Sequence, residues 1–149
     1  MGMTPAPLLK PAPSPTPPSA DAASSPATLH LVFQGLRSDR GTVRVCLWSE
    51  GDGFPDCKAG HHVRKLTVSA TADRVVLDVA GLAPGEYGIS AIHDENDNRR
   101  LDKSFVGLPT EGVAFSNNAS APFGPPKFGK VRFPVTGPTQ QTLQLRYYL

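Results

Sequence analysis

Oxygen-bearing side chains recur at alternate positions in one polar stretch, which is the spacing of a calcium-binding loop. On a loop of about twelve residues, Asp94 takes position 1, Asn96 position 3, Asn98 position 5 and Asp102 position 9. Calcium binds about six to eight oxygens, and alternate residues of a tight loop turn their side chains to the same side. Position 7 supplies only a backbone carbonyl, so Arg100 is compatible there. The spacing therefore predicts calcium as a ligand of this stretch.

Two positions depart from the calcium pattern. Arg99 stands where the sharp turn favours Gly, and Phe105 stands where a bidentate Glu closes the site. Glu111, further along the chain, is the candidate for the missing carboxylate. With Asp94 and Asp102 as the charged ligands, the expected Kd is weak, roughly 10⁻⁴ to 10⁻³ M. The alternative is a metal-free loop in which Asp and Asn side chains bond to the loop backbone.

Three further polar residues border the loop, and two more lie within it. His93 with Asp94 invites a hydrolase interpretation, but no Ser or Cys stands in a recognisable nucleophile elbow, so a supporting or ligand-contacting histidine is favoured. Asn117 and Asn118 are candidates to coordinate, to cap the loop or to bind a polar ligand. Glu95 and Asp97 alternate with the proposed ligands and are expected to point outward.

Aromatic residues follow the acidic stretch. Phe115, Phe123 and Phe128 are predicted either to pack the loop against a sheet or to line a shallow apolar groove. Trp48 is a further candidate wall of such a groove. The second alternative predicts a carrier of a small apolar ligand.

The elements that must position this long loop are strands. Apolar and polar residues alternate in several segments, as at Leu29, Leu31 and Phe33. No helical period is convincing, and strands are predicted at residues 29–34, 43–48, 63–69, 74–79, 87–93, 128–135 and 143–149. The first two are expected to form a hairpin. The pattern predicts an all-β, seven-stranded antiparallel Greek-key sandwich.

Two local features refine this fold. The run from Leu82 through Pro84 to Tyr87 is typical of a Greek-key corner, where the Tyr hydroxyl bonds back to the turn. Cys46 and Cys57 permit one disulfide, and two unrelated thiols are the alternative. Phe54, in the loop between the cysteines, is expected to anchor that loop on the core.

Composition limits the class of protein. The 149 residues suit one domain, with a Pro/Ala/Ser-rich tail at 1–27 that cannot bury enough apolar surface to fold, followed by the sandwich at 28–149. The tail lacks the apolar core of a signal peptide. A net charge of +2 without a basic cluster gives no case for nucleic acid, and no apolar run predicts a membrane span.

The polar stretch and its flanks resemble a bacterial family known only as domain of unknown function 2141. The similar positions are residues 91–98, 101, 102, 105, 107–112, 115–118, 124–126 and 128. The resemblance extends over about residues 28 to 149 and implies a periplasmic or secreted protein. It also implies a transthyretin-like or carboxypeptidase-regulatory-like sandwich and no established activity. Members typically carry Gly where Arg99 stands.

Three functions are compatible with these patterns. The first is a non-enzymatic extracytoplasmic binding module with a calcium-type loop, whose partner is an unknown protein or a small apolar ligand. The second is the apolar-ligand carrier. The third is a hydrolase using His93 and Asp94.

Overall fold

The structure is a computed structural model that describes residues 26–57, 62–71, 73–99, 101–103, 109–120 and 124–148. The predicted tail lies almost wholly outside the described residues. Eight strands are present in the described part: β1 (Ala27–Leu36), β2 (Thr42–Trp48), β3 (His62–Ser69), β4 (Asp73–Leu82), β5 (Gly85–Asp94), β6 (Gly112–Phe115), β7 (Phe133–Val135) and β8 (Thr139–Gln144). A 3-10 turn (Ser116–Asn118) follows β6, and a short helix, α1 (Phe128–Val131), precedes β7.

The strands form two sheets. The three-stranded sheet has the order β4–β1–β8, and the larger sheet has the order β3–β2–β5–β6, with β7 pairing the start of β5. The pairing of β1 with β8 is parallel, whereas the other strand pairs are antiparallel. The all-β, two-sheet sandwich is therefore confirmed, with one parallel pair that the antiparallel prediction did not include. The Greek-key and transthyretin-like topology stays a prediction.

Alternation along the strands produces the main core. Leu29, Leu31 and Phe33 of β1 are fully buried between the sheets. Val43 and Val45 of β2 approach them from the larger sheet and are also fully buried. Because successive strand side chains point to opposite faces, this period of two fills one shared core.

A second apolar cluster covers the outer face of the larger sheet. Phe54 lies edge-on to Trp48, Phe115 and Phe128, with ring centroids 5.4, 5.9 and 5.4 Å away. Val131 of α1 belongs to the same cluster and is fully buried. Phe54 is thus the anchor that the sequence predicted, although it anchors the loop on this second cluster.

The connection between β1 and β2 corrects the predicted hairpin. These strands lie in different sheets, and neither pairs with the other. Each strand has one apolar face, and these two faces pack against each other across the core. The two strands are not hydrogen-bonded to each other. Gly41, at φ +72°, turns the chain from one sheet to the other.

The end of the chain also differs from the prediction. The predicted sixth strand, residues 128–135, divides into α1 and the three-residue β7. Phe128 and Val131 are three residues apart, so one helical turn places both on the outer cluster. The short strand β6 was not predicted, and the last strand ends at Gln144.

The two other local predictions can be compared directly. The Tyr87 hydroxyl donates to the Ala83 carbonyl, which confirms the corner contact. Cys46 and Cys57 form a disulfide with Cα atoms 6.2 Å apart. None of the helices in the described ranges has the length and apolarity needed to cross a membrane.

Candidate functional site

The polar loop, defined here as residues 94–111, begins where β5 ends. Asp94 is fully buried there, and its Oδ1 accepts the Asn98 N–H at 3.1 Å. Its Oδ2 accepts the Arg99 N–H at 2.7 Å and the Arg44 Nε–H at 2.8 Å. Both oxygens of the first predicted calcium ligand are therefore bonded to protein donors, and the Arg44 guanidinium balances the charge.

The backbone of the loop has two residues in the left-handed region. Asp97 and Arg99 have φ values of +57° and +67°, in the left-handed region. The conformation at Arg99 is the one for which Gly is favoured at position 6. The side chain of Arg99 is exposed. The chain thus turns sharply here without glycine.

Three of the predicted metal ligands converge. The Asp102 carboxylate accepts the Asn96 Nδ2–H at 2.7 Å and the Asn98 Nδ2–H at 2.8 and 3.0 Å. The Asn98 backbone N–H also donates to Asn96 Oδ1 at 3.2 Å. The two amides therefore present nitrogen, not oxygen, to the carboxylate. In this arrangement Asp102 is satisfied by hydrogen-bond donors.

Glu111 reaches back into the loop as the sequence indicated. Its Oε2 accepts the Glu95 N–H at 2.9 Å, and its Oε1 accepts the Asp102 N–H at 3.2 Å. Burial raises the pKa of Glu111 above its ordinary value, because these two backbone hydrogen bonds only partly offset the burial and the charges of Asp102 and Asp94. Glu111 fastens the two halves of the loop to each other.

Glu95 corrects an expectation, because its side chain does not point outward. Only 8% of the side chain is exposed, and Oε1 accepts Arg37 Nη2–H at 2.6 Å. Oε2 accepts the Ser38 hydroxyl at 2.7 Å and Arg40 Nη2–H at 3.3 Å. Burial alone would raise the pKa of Glu95, but the Arg37 and Ser38 hydrogen bonds and the Arg37 charge lower it to about 2. Its carboxylate joins the β1–β2 connection to the loop.

The His93 ring is fully buried and both its nitrogens are used. Nε2 lies 2.8 Å from the Arg40 carbonyl, and Nδ1 lies 2.7 Å from the Tyr147 hydroxyl. A carbonyl can only accept, so Nε2 carries the hydrogen, and in the neutral ring Nδ1 accepts from the tyrosine. The Tyr147 oxygen also accepts the Arg37 backbone N–H at 3.1 Å. Neither ring nitrogen is available to a substrate.

The asparagine pair after β6 acts as a backbone cap. Asn117 Nδ2 donates to the Arg132 carbonyl at 2.8 Å and to the Lys130 carbonyl at 3.2 Å. Asn118 Oδ1 accepts the Gln144 N–H at 2.9 Å, and its Nδ2 donates to a second backbone group of β8. Both residues have left-handed φ values, +60° and +51°. They hold the end of α1 and the outer edge of β8.

Three of the four aromatic residues that were predicted to line a groove lie in the described part of the chain. Phe115 and Phe128 pack against Phe54 in the second cluster, and Trp48 is fully buried beside them. Phe123, like the predicted ligand Arg100, lies outside the described residues. The described aromatic rings pack against one another and fill this cluster.

An open groove of about 610 Å³ lies beside the asparagine pair. Its lining combines apolar and cationic side chains with two polar ones: Asn117, Ala119, Ser120, Pro125, Pro126, Lys127 and Lys130. In the part of the chain that the structure describes, neither lysine forms an ion pair. The groove could accept a ligand with an apolar part and an anionic group.

The arginine partners of the loop were not predicted. Arg37 and Arg40 pair with Glu95, and Arg44 pairs with Asp94, although each arginine lies at least fifty positions earlier in the chain. The available signal was the concentration of three arginines in the β1–β2 connection and the start of β2. It could have been matched to the acidic loop by charge alone.

These features define the class: an all-β sandwich in which a polar loop, with its Asp94 and Glu111 carboxylates buried and bonded to protein donors, lies at one end of the larger sheet. A family model described as "Uncharacterized protein conserved in bacteria (DUF2141)" matches residues 31–143. The chain belongs to this family, which confirms the resemblance. No curated protein and no solved structure gives a significant match.

Proposed function

We propose that the protein is a non-enzymatic, extracytoplasmic binding module whose polar loop is a prefolded scaffold. The observation that carries this proposal is the complete internal use of the polar atoms of His93 and Asp94. A general base must reach the proton that it abstracts. The buried His93 bonds instead to Tyr147 and to a backbone carbonyl, which disfavours the hydrolase alternative.

The disulfide supports an extracytoplasmic location. Cys46 and Cys57, eleven positions apart in the sequence, are joined by this bridge. Structural disulfides persist mainly in oxidising compartments such as the periplasm. A protein exported to that compartment would retain the bridge that fixes Phe54 on the outer cluster.

Calcium belongs to the proposal as a weak ligand at one end of the loop. Asn96, Asn98 and Asp102 already converge, and rotation of an amide would turn its oxygen toward the carboxylate. Asp94 and Glu111 fit less well, because their oxygens accept from backbone N–H groups and from Arg44, which unlike a side-chain amide cannot turn an oxygen toward the same site. The fit is therefore partial, and bound calcium would supply only local charge neutralisation there.

Thermal unfolding in EDTA, followed by millimolar calcium, tests the scaffold and the calcium ligand separately. We expect an unchanged midpoint in EDTA, because the loop carboxylates already have protein donors. Calcium should then raise the midpoint by mass action, and Asp102→Asn should remove that rise. Asp39→Asn, at an exposed turn, is the matched control. A large loss of stability in EDTA would contradict the metal-independent scaffold, and an unchanged midpoint in calcium would reject the calcium ligand.

The groove lined by residues 117, 119, 120, 125–127 and 130 favours a second candidate, a small-ligand carrier. Its two lysines and two prolines suit an amphipathic anion. Fluorescence titration with anilinonaphthalene sulfonate tests this candidate: Lys127→Ala with Lys130→Ala should weaken binding, and Lys65→Ala on β3 should not. Equal binding by all three proteins would reject the groove as the site.

A further inference from the structure

The strand β4 forms an open edge of the smaller sheet. It is the terminal strand in the order β4–β1–β8, and among the described residues it pairs with β1 alone. An unpaired edge presents a row of backbone donors and acceptors that can add another strand. The chemistry of this edge therefore depends on which residues direct their peptide groups outward.

The neighbouring strand fixes this direction. The Gln34 carbonyl of β1 accepts the Leu145 N–H at 2.8 Å, so Gln34 directs its peptide groups toward the β8 side. Gln34 is opposite Arg74 in the β1–β4 register, which makes them a pair that does not exchange hydrogen bonds. By the alternation of an antiparallel ladder, Arg74, Val76 and Asp78 direct their N–H and C=O groups to the open edge.

The two ends of this edge are already covered. The Thr71 hydroxyl donates to the Arg74 carbonyl. At the other end, the Arg64 guanidinium donates to the Ala80 and Gly81 carbonyls. The open part is therefore a short segment centred on Val76.

The exposed side chains of this segment are self-complementary. Among the described residues, Val76 is the one large hydrophobic residue whose side chain is exposed, with 47% of its surface accessible. Arg74 precedes it by two positions and Asp78 follows it by two. In an antiparallel pair centred on Val76, each valine meets its copy, and Arg74 of either chain lies opposite Asp78 of the other. Directly opposed opposite charges and apolar pairs both stabilise such a ladder.

We propose that two copies of the chain associate through β4, by two-fold antiparallel pairing centred on Val76. The two three-stranded sheets then become one continuous six-stranded sheet. Four backbone hydrogen bonds form between groups that are free in the single chain: two at the valine pair, and one from the Arg74 N–H to the Asp78 carbonyl at each Arg74–Asp78 pair, since the Arg74 carbonyl already accepts the Thr71 hydroxyl. The pairing is isologous, so it closes at two copies.

Sedimentation equilibrium of the full chain, from micromolar to millimolar concentration, tests this pairing. We expect a monomer–dimer equilibrium. Arg74→Asp sets like charges opposite each other twice per dimer and should raise the dimer Kd by about tenfold or more. The double variant Arg74→Asp with Asp78→Arg exchanges the charges and should restore the dimer.

Two further variants sharpen the test. Val76→Glu places two like charges at the centre of the pair and should also dissociate the dimer. Lys65→Asp changes a comparable exposed charge on β3, the edge of the other sheet, and should leave the dimer intact. Circular dichroism confirms that each variant is folded.

The proposal is overturned by a monomer at every concentration, by a dimer that survives Arg74→Asp, or by a double variant that stays monomeric. Loss of the dimer in Lys65→Asp would place the interface on β3 and would also overturn it.

Discussion

The carboxylates of Asp94, Glu95 and Glu111 in the polar loop all accept hydrogen bonds from protein donors. Asp94 accepts from two backbone amides and Arg44, whereas Glu111 accepts from two backbone amides alone. Glu95 is bonded to two arginines and a serine. A stretch that resembles a calcium loop by spacing can therefore be ordered by its own chain.

Arg99 carries a conformational cost that one substitution removes. Its φ of +67° is unfavourable for a residue with a Cβ, and its exposed side chain makes no hydrogen bond or ion pair in the described part. Arg99→Gly should therefore raise the free energy of unfolding by about 1 kcal/mol, measured by urea denaturation. Arg99→Ala, the control, should change it little. A glycine variant less stable than the alanine variant would contradict the strained turn.

The Glu95 carboxylate predicts a particular pH dependence. Its folded pKa of about 2 lies below the ordinary value of 4.5, so the ionised form favours the folded state. Its contribution is complete above pH 4.5 and is lost as the pH falls from 4.5 toward 2. Urea unfolding across this range should show a flatter pH dependence for Glu95→Gln than for the native chain. Parallel curves would show that Glu95 has no depressed pKa.

For individual residues, the sequence predicted which loop side chains lie together better than it predicted which donors bond to the carboxylates. Asn96, Asn98 and Asp102 converge as their alternate spacing indicated. The donors for Asp94 and Glu95 come from β2 and the β1–β2 connection, which are distant in the chain. Local spacing carries no information on such pairing, because it is decided only when the sheets assemble.

At the scale of elements, α1 depends on a close approach to β5. A Cβ at Gly88 would lie 2.7 Å from Phe128 Cε1 and 2.9 Å from Val131 Cγ2. Gly88→Ala should therefore cost about 1 to 3 kcal/mol of unfolding free energy through overpacking. Gly129→Ala in α1, where nothing lies within 4 Å of the added Cβ, is the control. Equal stability of the two variants would contradict the packing of α1 on β5.

The disulfide should stabilise the loop that carries Phe54. It closes an eleven-residue separation, and closing a loop of this size typically contributes about 2 to 4 kcal/mol. Reduction, or the Cys46→Ala and Cys57→Ala double variant, should lower the unfolding free energy by that amount and increase Trp48 fluorescence quenching by added iodide. Unchanged stability after complete reduction would contradict a structural role.

Strand periodicity predicted most elements but not their partners. The alternation in β1 and β2 is clear, yet it is equally compatible with a hairpin and with two strands facing each other across a core. β6 escaped prediction because its four residues are all buried and therefore show no alternation. Phe128 extended an apparent strand because one helical turn also brings apolar residues to one side.

At the scale of the whole molecule, the polar loop joins segments that the sheets alone leave apart. Glu95 holds the β1–β2 connection through Arg37, whose guanidinium lies over the Tyr147 ring at 4.5 Å. Tyr147 in turn bonds to His93 at the end of β5. These contacts connect the β1–β2 connection, the start of the polar loop, Tyr147 and the end of β5 into one network at this end of the sandwich.

Hydrogen exchange of the loop amides in EDTA is the most direct test of this account. The N–H groups of Asn98 and Arg99 donate to Asp94, and those of Glu95 and Asp102 donate to Glu111. We predict that NMR will find these four amides protected in EDTA, to nearly the same degree as in millimolar calcium. Exchange at the unstructured rate in EDTA, with protection only after calcium is added, would contradict the metal-independent scaffold.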